Sequence, residues 1–221
     1  MSAIEFYYMP ESPPCRAVEM VANMIGINLN KHYVNLFLKE QMKEDFVKIN
    51  PQHKVPFIVD GDVKLGESRA IMAYLVNRYK PNDALYPIDP VQRAAIDELM
   101  YFDATTLYPS GSNLFRPMLF EGKKDFDPEC DQAYRANLKY LDDRLELGGY
   151  RFLLGNSLTI ADITICSSLS FASCFDFNFE PHKHLLVYMN SLKESILDYS
   201  KVNDSAVENT KNYIKSRLGS G

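Results

Sequence analysis

The stretch from residue 50 to residue 70, NPQHKVPFIVDGDVKLGESRA, decides the fold that we predict. Pro56 precedes the apolar run at residues 57–59, so it fits the first position of a strand, where a missing N–H costs no ladder hydrogen bond. The turn signal at residues 60–62 joins this strand to a second short strand. A helix then begins near Gly66, with apolar residues at helical spacing behind it. The stretch predicts a β-hairpin followed by a helix.

The start of this helix carries residues suited to a small peptide. The first turn of a helix has unpaired N–H groups and a partial positive charge. Ser68 therefore offers a hydroxyl and an amide to a carboxylate, and neighbouring Glu67 offers its negative charge to an amine. An α-amino acid carries both groups. A helix that simply begins with an acidic first turn explains the same residues, so both interpretations stay open on spacing alone.

The composition is that of an ordinary globular protein. The 221 residues leave room for one large or two small domains, and 46% of them are hydrophobic, enough for a full core. The net charge of -5 and the lack of a long Lys or Arg run argue against nucleic-acid binding. No stretch approaches the roughly 18 apolar residues of a membrane span. Residues 1–10 lack the pattern of a signal peptide, so we expect no membrane partner.

The cysteines and histidines do not form a metal motif. The four cysteines are scattered and typical of free thiols in a reducing compartment, which predicts a cytoplasmic protein: Cys15, Cys130, Cys166 and Cys174. His182 and His184 resemble half a metal site, but no third ligand stands nearby, so we interpret them as surface histidines.

The first eighty residues alternate strands and helices. Residues 4–8 predict a strand, and an amphipathic helix follows from about Ser12, a residue favoured at helix N-caps. A second strand is predicted at residues 32–36 and a second helix at residues 40–49. With the hairpin and its helix, the order is βαβ followed by ββα, in which the first two strands are parallel. This order predicts a thioredoxin-like fold, with Ser12-x-x-Cys15 where such folds carry their redox pair.

Four short motifs stand in the order and at the distances of one known family: Ser12-Pro13-Pro14-Cys15-Arg16, Asn50-Pro51-Gln52-His53, Val55-Pro56 and Glu67-Ser68-Arg69-Ala70. Through them the chain resembles the cytosolic glutathione transferases, nearest the arthropod delta and epsilon classes, over essentially its whole length. The resemblance implies a thioredoxin-like α/β N-terminal domain followed by an all-α domain. It also implies a homodimeric detoxification enzyme that conjugates glutathione to small hydrophobic electrophiles and needs no metal.

The resemblance further assigns residues to glutathione. Val55 would pair its backbone with the cysteinyl unit, after which Pro56 would be cis. Glu67 and Ser68 would hold the γ-glutamyl amine and carboxylate, and Arg69 would lie near the dimer contact. The full set that the resemblance places around glutathione is Gln41, His53, Lys54, Val55, Pro56, Glu67, Ser68 and Arg69.

Ser12 is the residue to which we assign the catalysis. A free thiol with a pKa near 8.5 is only a few per cent ionised at neutral pH, and its thiolate is the nucleophile. A pKa lower by two units requires about 2.7 kcal/mol. One hydroxyl donor contributes roughly 1.5 to 3 kcal/mol, and a helix N-terminus adds about 0.3 to 1 kcal/mol. Ser12 can therefore hold the glutathione sulfur as thiolate, as the matching serine does in the family.

Three neighbours offer alternatives to Ser12. Other transferase classes use a tyrosine near the end of the first strand, which makes Tyr7 and Tyr8 rivals. Cys15, in the first turn of the helix, would form a mixed disulfide with glutathione if its pKa were low, as in a thiol transferase.

Two departures from the delta-class pattern bear on turnover. Glu11 stands where a glycine usually precedes the serine, and an inward-pointing carboxylate would oppose the thiolate. Gln41 replaces a histidine and would weaken recognition of the glycyl carboxylate. Both favour the alternative of a weakly catalytic protein that binds glutathione and hydrophobic ligands. Peroxide reduction and isomerisation begin from the same thiolate and also stay open.

The second half of the chain has no strand alternation. Prolines and polar residues mark residues 81–90 as a linker between a glutathione-binding domain, residues 1–80, and a helical domain, residues 91–221, that carries the acceptor site. Helices are predicted at about 90–119, 128–147, 159–176, 182–196 and 204–218, and residues 218–221 are predicted to be an unstructured tail.

Two further groups of residues complete the prediction. Thr159 as N-cap and Asp162 at the third helical position form a capping box, which makes both structural. By analogy with the family, the hydrophobic acceptor contacts Pro14, Tyr108, Phe115, Leu119 and Phe120.

Overall fold

A four-stranded mixed sheet forms the first part of the chain. The structure, a computed structural model, describes residues 3–218. The strands are β1 (Ile4–Tyr8), β2 (Leu29–Tyr33), β3 (Phe57–Asp60) and β4 (Val63–Leu65), in the spatial order β2-β1-β3-β4. Three helices accompany them: α1 (Pro13–Met24), α2 (Glu44–Ile49) and α3 (Ser68–Tyr79).

The strand pairing brings several loops to one end of the sheet. β2 runs parallel to β1, and Tyr33 lies beside Tyr8. β3 runs antiparallel to β1, and β4 antiparallel to β3. The chain therefore leaves β1, β2 and β4, and enters β3, at the same end. This is the predicted thioredoxin-like order, which is confirmed.

The second strand and second helix differ from their predicted bounds. β2 covers Leu29–Tyr33 and not residues 32–36, because its register follows β1 from Ile4 beside Leu29. As an edge strand with largely exposed side chains it lacks the apolar pattern that marks a buried strand. The predicted helix at residues 40–49 is a 3₁₀ turn, Glu40–Met42, followed by α2, because Lys43 adopts an extended conformation between them.

Six helices form the second part of the described chain where five were predicted, because a π-helical turn divides the predicted helix at residues 90–119 into two; the other bounds lie within a few residues of their predicted positions. The six helices are α4 (Pro90–Phe102), α5 (Tyr108–Phe120), α6 (Pro128–Gly148), α7 (Ile160–Ser173), α8 (Lys183–Ser195) and α9 (Ser205–Leu218). A π-helical turn, Asp103–Leu107, joins α4 to α5, and another, Ser200–Asp204, precedes α9. No helix within residues 3–218 has the length and apolar character needed to cross a membrane. Of the predicted tail, Leu218 ends α9 and residues 219–221 lie outside the described residues.

α7 is the central helix of the core, and Asp162 fixes its start. The Asp162 carboxylate accepts hydrogen bonds from the N–H and the hydroxyl of Thr159, at 2.8 and 2.7 Å. Its other oxygen accepts the N–H of Leu153 at 3.2 Å and the hydroxyl of Tyr188 at 3.0 Å. Asp162 is fully buried, and its four donors come from the segment before α7 and from α8, so it joins α7 to both.

Candidate active site

Ser12 lies in the turn between β1 and α1, at the end of the sheet where the loops meet. Its N–H donates to the carbonyl of Met9 at 3.0 Å, and its carbonyl accepts the N–H groups of Cys15 and Arg16 at 3.0 and 3.1 Å. Its hydroxyl makes no capping hydrogen bond to the N–H groups of α1 but lies within hydrogen-bond reach of the Cys15 thiol, and the residue borders an open cleft. Helix capping therefore does not account for this side chain.

Arg16 stabilises the turn that carries Ser12 through hydrogen bonds. Its side chain is 1% exposed, and its Nε donates to Oδ1 of Asn203 at 2.9 Å. The terminal nitrogens donate to Oγ of Ser170 at 3.0 Å and to the carbonyls of Glu11 at 3.0 Å, and of Pro10 and Ser167 at 3.4 Å. None of these partners is a carboxylate. Although burial lowers the pKa of Arg16, arginine stays protonated in proteins. A positive charge therefore sits directly behind the turn.

Tyr7 and Tyr8 lie outside the cleft. Tyr7 stacks on His32 with ring centroids 4.8 Å apart, and the Lys31 ammonium lies 5.7 Å above the ring of Tyr8. Burial raises the pKa of both phenols. Neither hydroxyl borders the space in front of Ser12, so both tyrosines are weaker candidates for the thiolate's donor.

Cys15 faces the core. Its side chain is fully buried, and burial raises the pKa of its thiol to about 11, although the neighbouring Ser12 hydroxyl and Met9 backbone act in the opposite direction. The thiol is therefore protonated and shielded at neutral pH, which argues against a mixed disulfide at this residue.

The loop before β3 is held in place by Asn50, which belongs to one of the four motifs but was predicted no role of its own. Asn50 is 4% exposed; its Nδ2 donates to the carbonyl of Lys54 at 2.8 Å, and its Oδ1 accepts the N–H of Gln52 at 3.1 Å. The Val55–Pro56 peptide is cis, as predicted. The Asn-Pro pair was the available signal, because this dipeptide marks turns.

The start of α3 lies at the same end of the sheet. Ser68 is its first residue and is 4% exposed, while Glu67 before it is exposed and has a φ of 61°. His53 also has a positive φ, 54°. Non-glycine residues in this region cost free energy and cluster at ligand sites. Both residues belong to the set that the resemblance assigns to glutathione.

The structure also defines the surroundings of Gln41 and Arg69, two other residues that the resemblance assigns to glutathione. The Oε1 atom of Gln41 is buried and has no hydrogen-bond partner in the described part of the chain. The Arg69 guanidinium forms an ion pair with Asp103, which is fully buried at the start of the first π-helical turn. Burial raises the pKa of Asp103, and the charge of Arg69 opposes this shift. Arg69 thus joins α3 to the helical domain.

The cleft in front of Ser12 has one wall from the sheet domain and one from the helical domain. Its volume is about 100 Å³, below the range of about 300 to 1,000 Å³ typical of drug-sized ligand sites. Most of its lining is apolar: Met9, Pro13, Leu36, Phe37, Leu119, Phe120 and Phe171. The remaining lining residues are polar or charged: Glu11, Ser12, Tyr108, Ser112, Arg116 and Thr210.

Both parts of the chain match sequence patterns of one family. The pattern described as glutathione S-transferase, N-terminal domain, matches residues 6–83, and that of glutathione S-transferase, C-terminal domain, matches residues 71–195. The chain belongs to the glutathione S-transferase family. The predicted family and enzyme class are confirmed.

Solved structures support the same assignment for this transferase. A delta-class glutathione transferase of Nilaparvata lugens is 34% identical, with a TM-score of 0.91 over 97% of this chain and 99% of that one. An epsilon-class enzyme of the housefly, Musca domestica, is 30% identical, with a TM-score of 0.88 over 97% and 98%. A homologue from Drosophila mojavensis, solved with bound glutathione, is 32% identical, with a TM-score of 0.88 over 98% of both chains.

Two of the predicted acceptor residues do not line the cleft of this transferase. Phe115 is fully buried and stacks on Phe175, with centroids 4.9 Å apart, because this face of α5 packs against α6 and α7. Pro13 lines the cleft, and the adjacent Pro14 does not. The other three predicted residues, Tyr108, Leu119 and Phe120, do line it.

Several residues that line the cleft were not predicted from the sequence. Phe37, in the loop after β2, stacks on Tyr213 of α9 at 4.5 Å between centroids and contacts Phe120 at 6.0 Å. No sequence signal identifies Phe37, since it belongs to no periodic element. Ser112 and Arg116 follow Tyr108 at intervals of four residues, and this helical spacing could have shown that they share its face.

Glu11 also lines the cleft of the transferase, beside Ser12. Its Oε2 atom is buried and has no hydrogen-bond partner within residues 3–218. Besides burial, the Glu11 charge raises the pKa of Tyr8 and Tyr33, so the carboxylate lies toward the ends of β1 and β2, on the sheet-domain side of the cleft.

The histidine pair is not a pair of surface residues. His182 is 8% exposed, and burial lowers its pKa, whereas His184 is exposed and lies 3.6 Å from Asp142. Among the described residues, no three side chains of the metal-binding types cluster as metal ligands would.

Proposed function

We propose that Ser12 donates a hydrogen bond to the glutathione sulfur and holds it as thiolate, which then attacks an apolar electrophile in the cleft. The observation that carries this proposal is the Ser12 hydroxyl, which borders the cleft and is not used to cap α1. The start of α1 and the buried Arg16 charge behind the turn favour the same anion. The sulfur forms its bond to the acceptor as the leaving group departs with the electrons of the broken bond.

We further propose that glutathione lies along the end of the sheet. The Val55 backbone would pair with its cysteinyl unit beside the cis Pro56, and Glu67 and Ser68 would take its γ-glutamyl end. His53, Lys54 and Gln41 would face the glycyl end. The positive φ values of His53 and Glu67 support this arrangement. Arg69 would act through Asp103, and not by direct contact.

The remaining expectations concern organisation. We propose residues 1–80 as the glutathione-binding domain, residues 81–90 as the linker and residues 91–221 as the acceptor domain. A homodimer is supported by apolar side chains exposed on α4 and β4, namely Val91, Tyr101 and Val63. The four free cysteines favour the cytoplasm.

Ser12→Ala tests the central proposal. The loss of one hydrogen bond to a charged group, about 1.5 to 3 kcal/mol, predicts a fall in kcat/KM of roughly tenfold to a hundredfold near pH 7. The fall should shrink as the pH rises through the ordinary thiol pKa, because the thiolate then forms without help. Conjugation rates of a generic chloronitrobenzene over a pH series measure this.

Cys15→Ser and Tyr7→Phe serve as controls for Ser12→Ala. Both should stay close to wild type, since neither side chain lines the cleft. A Ser12→Ala enzyme that conjugates at the wild-type rate at neutral pH would contradict the proposal. Cys15, Tyr7 or Tyr8 would then be the candidate group.

A further inference from the structure

A row of three polar side chains lies on the α5 wall of the acceptor cleft. Tyr108, Ser112 and Arg116 follow one another at intervals of four residues along α5, so all three lie on one face, and all three line the cleft. Leu119, Phe120 and Phe37 provide apolar surface beside them. A purely hydrophobic acceptor can form neither a hydrogen bond nor an ion pair with these three side chains.

Ser112 and Tyr108 present hydrogen-bonding groups to the cleft. The Ser112 Oγ atom is buried and lies within hydrogen-bond reach of the Tyr108 hydroxyl. Since each hydroxyl can donate one hydrogen bond and accept two, the pair keeps capacity for a polar group bound in the cleft. Burial raises the pKa of Tyr108, so its phenol stays neutral and able to donate.

Arg116 adds a positive charge to this row. Across residues 3–218, no carboxylate forms an ion pair with it, and its guanidinium lies over the ring of Phe120 at 5.3 Å. A guanidinium that stacks on a ring keeps its N–H edge free for the planar fork of a carboxylate. Arg116 is exposed, so an anion can reach it from solvent.

The positions of Glu11 and Arg116 determine how an anionic acceptor is oriented in the cleft. Glu11 stands beside Ser12 on the wall formed by the sheet domain, and Arg116 stands on the wall formed by α5. The negative charge of Glu11 repels an anionic group on the acceptor, and the positive charge of Arg116 attracts it. The reacting carbon is then left near Ser12.

We propose that the cleft selects acceptors with an apolar body and a carboxylate-like anionic group, which Arg116 and Ser112 hold while the body packs on Leu119, Phe120 and Phe37. This inference rests on the proposed function, in which the thiolate forms at Ser12. In a chlorinated nitrobenzoate, the sulfur bonds to the carbon that carries chlorine, chloride leaves with the bonding electrons, and the carboxylate is unchanged.

Two matched acceptors test the inference: a chlorodinitrobenzoate and the corresponding neutral chlorodinitrobenzamide, each corrected for its uncatalysed reaction with glutathione. In Arg116→Gln we expect the ratio of kcat/KM values, benzoate over benzamide, to fall about three- to tenfold, mostly through KM. Added salt should lower the wild-type ratio in the same direction, because the contact is open to solvent. Ser112→Ala should lower the ratio by a smaller factor.

Lys183→Gln is the matched control, since it removes the same charge from an exposed position in the first turn of α8, outside the cleft. Its ratio should equal that of wild type. An unchanged ratio in Arg116→Gln, an equal loss on both acceptors, or an equal change in Lys183→Gln would overturn the inference. Failure of the proposed function is separate: Ser12→Ala would then leave the benzamide rate at the wild-type value.

Discussion

At the scale of single residues, our proposal gives two adjacent side chains opposite effects on the glutathione thiolate. In the mechanism that we propose, the Ser12 hydroxyl favours the anion, and the negative charge of Glu11, which also lines the cleft, opposes it. A negative charge within several Å of the sulfur raises the free energy of the thiolate and hence the pKa of the thiol. If Ser12 holds the thiolate as we propose, Glu11 limits the rate that Ser12 makes possible.

Glu11→Gln should therefore raise activity. The substitution keeps the shape and removes the charge, so we expect kcat/KM to rise about two- to fivefold near pH 6.5 and to match wild type at high pH, where the thiolate is already formed. The ultraviolet absorbance of enzyme-bound thiolate, followed over a pH titration, measures the shift directly. A lower rate in Glu11→Gln would mean that the carboxylate assists the reaction by accepting the thiol proton.

At the scale of elements, the start of α7 depends on one carboxylate. Asp162→Ala leaves the N–H groups of Thr159 and Leu153 and the Tyr188 hydroxyl without their acceptor. We expect a loss of about 3 to 5 kcal/mol in the free energy of unfolding, with kcat/KM per folded molecule unchanged. Urea unfolding and active-site titration of the soluble fraction measure the two quantities.

Asp143→Ala provides the comparison for that variant. Asp143 is paired with Lys139 on the surface of α6, at 2.7 Å, and such exposed pairs contribute about 1 kcal/mol or less. If Asp162→Ala were no more destabilising than Asp143→Ala, its hydrogen bonds would not be what fixes α7.

At the scale of the whole molecule, Arg16 connects the turn that carries Ser12 to the helical domain. It reaches from α1 to Ser170 on α7 and to Asn203 in the π-helical turn before α9, while it holds the carbonyl of Glu11. The position of Ser12 is therefore set partly by residues more than 150 positions away in sequence.

Arg16→Lys should lower both stability and glutathione affinity. Lysine keeps the charge but not the planar set of donors, which predicts a loss of about 3 kcal/mol and a Tm lower by roughly 6 to 12 °C. We expect the KM for glutathione to rise, because the Glu11 carbonyl is released. Arg151→Lys, in an exposed pair with Glu194, should change the Tm by at most a degree or two. Equal changes in Tm for Arg16→Lys and Arg151→Lys would show that the hydrogen bonds of Arg16 do not stabilise the turn.

Much of the fold and part of the site could be predicted from local sequence. Proline, glycine and the apolar periods located most helices, the hairpin and the start of α3, because these signals act within a few residues. β2 was misplaced, because an exposed edge strand takes its register from β1 and not from its own apolar pattern. Phe37 was not predicted to line the cleft, because nothing in the sequence of its own loop shows that Tyr213 packs on it.

The sequence by itself determined the order of the elements, the family, and the place of Ser12 at the beginning of the first helix. Only the tertiary structure decided which aromatic side chains face the cleft and which face the core. Periodicity shows that a helix has faces, but the neighbours that cover each face come from distant parts of the chain. Packing between α5, α6 and α7 buries Phe115 and leaves Ser112 and Arg116 at the cleft, and that outcome sets the acceptor that we propose.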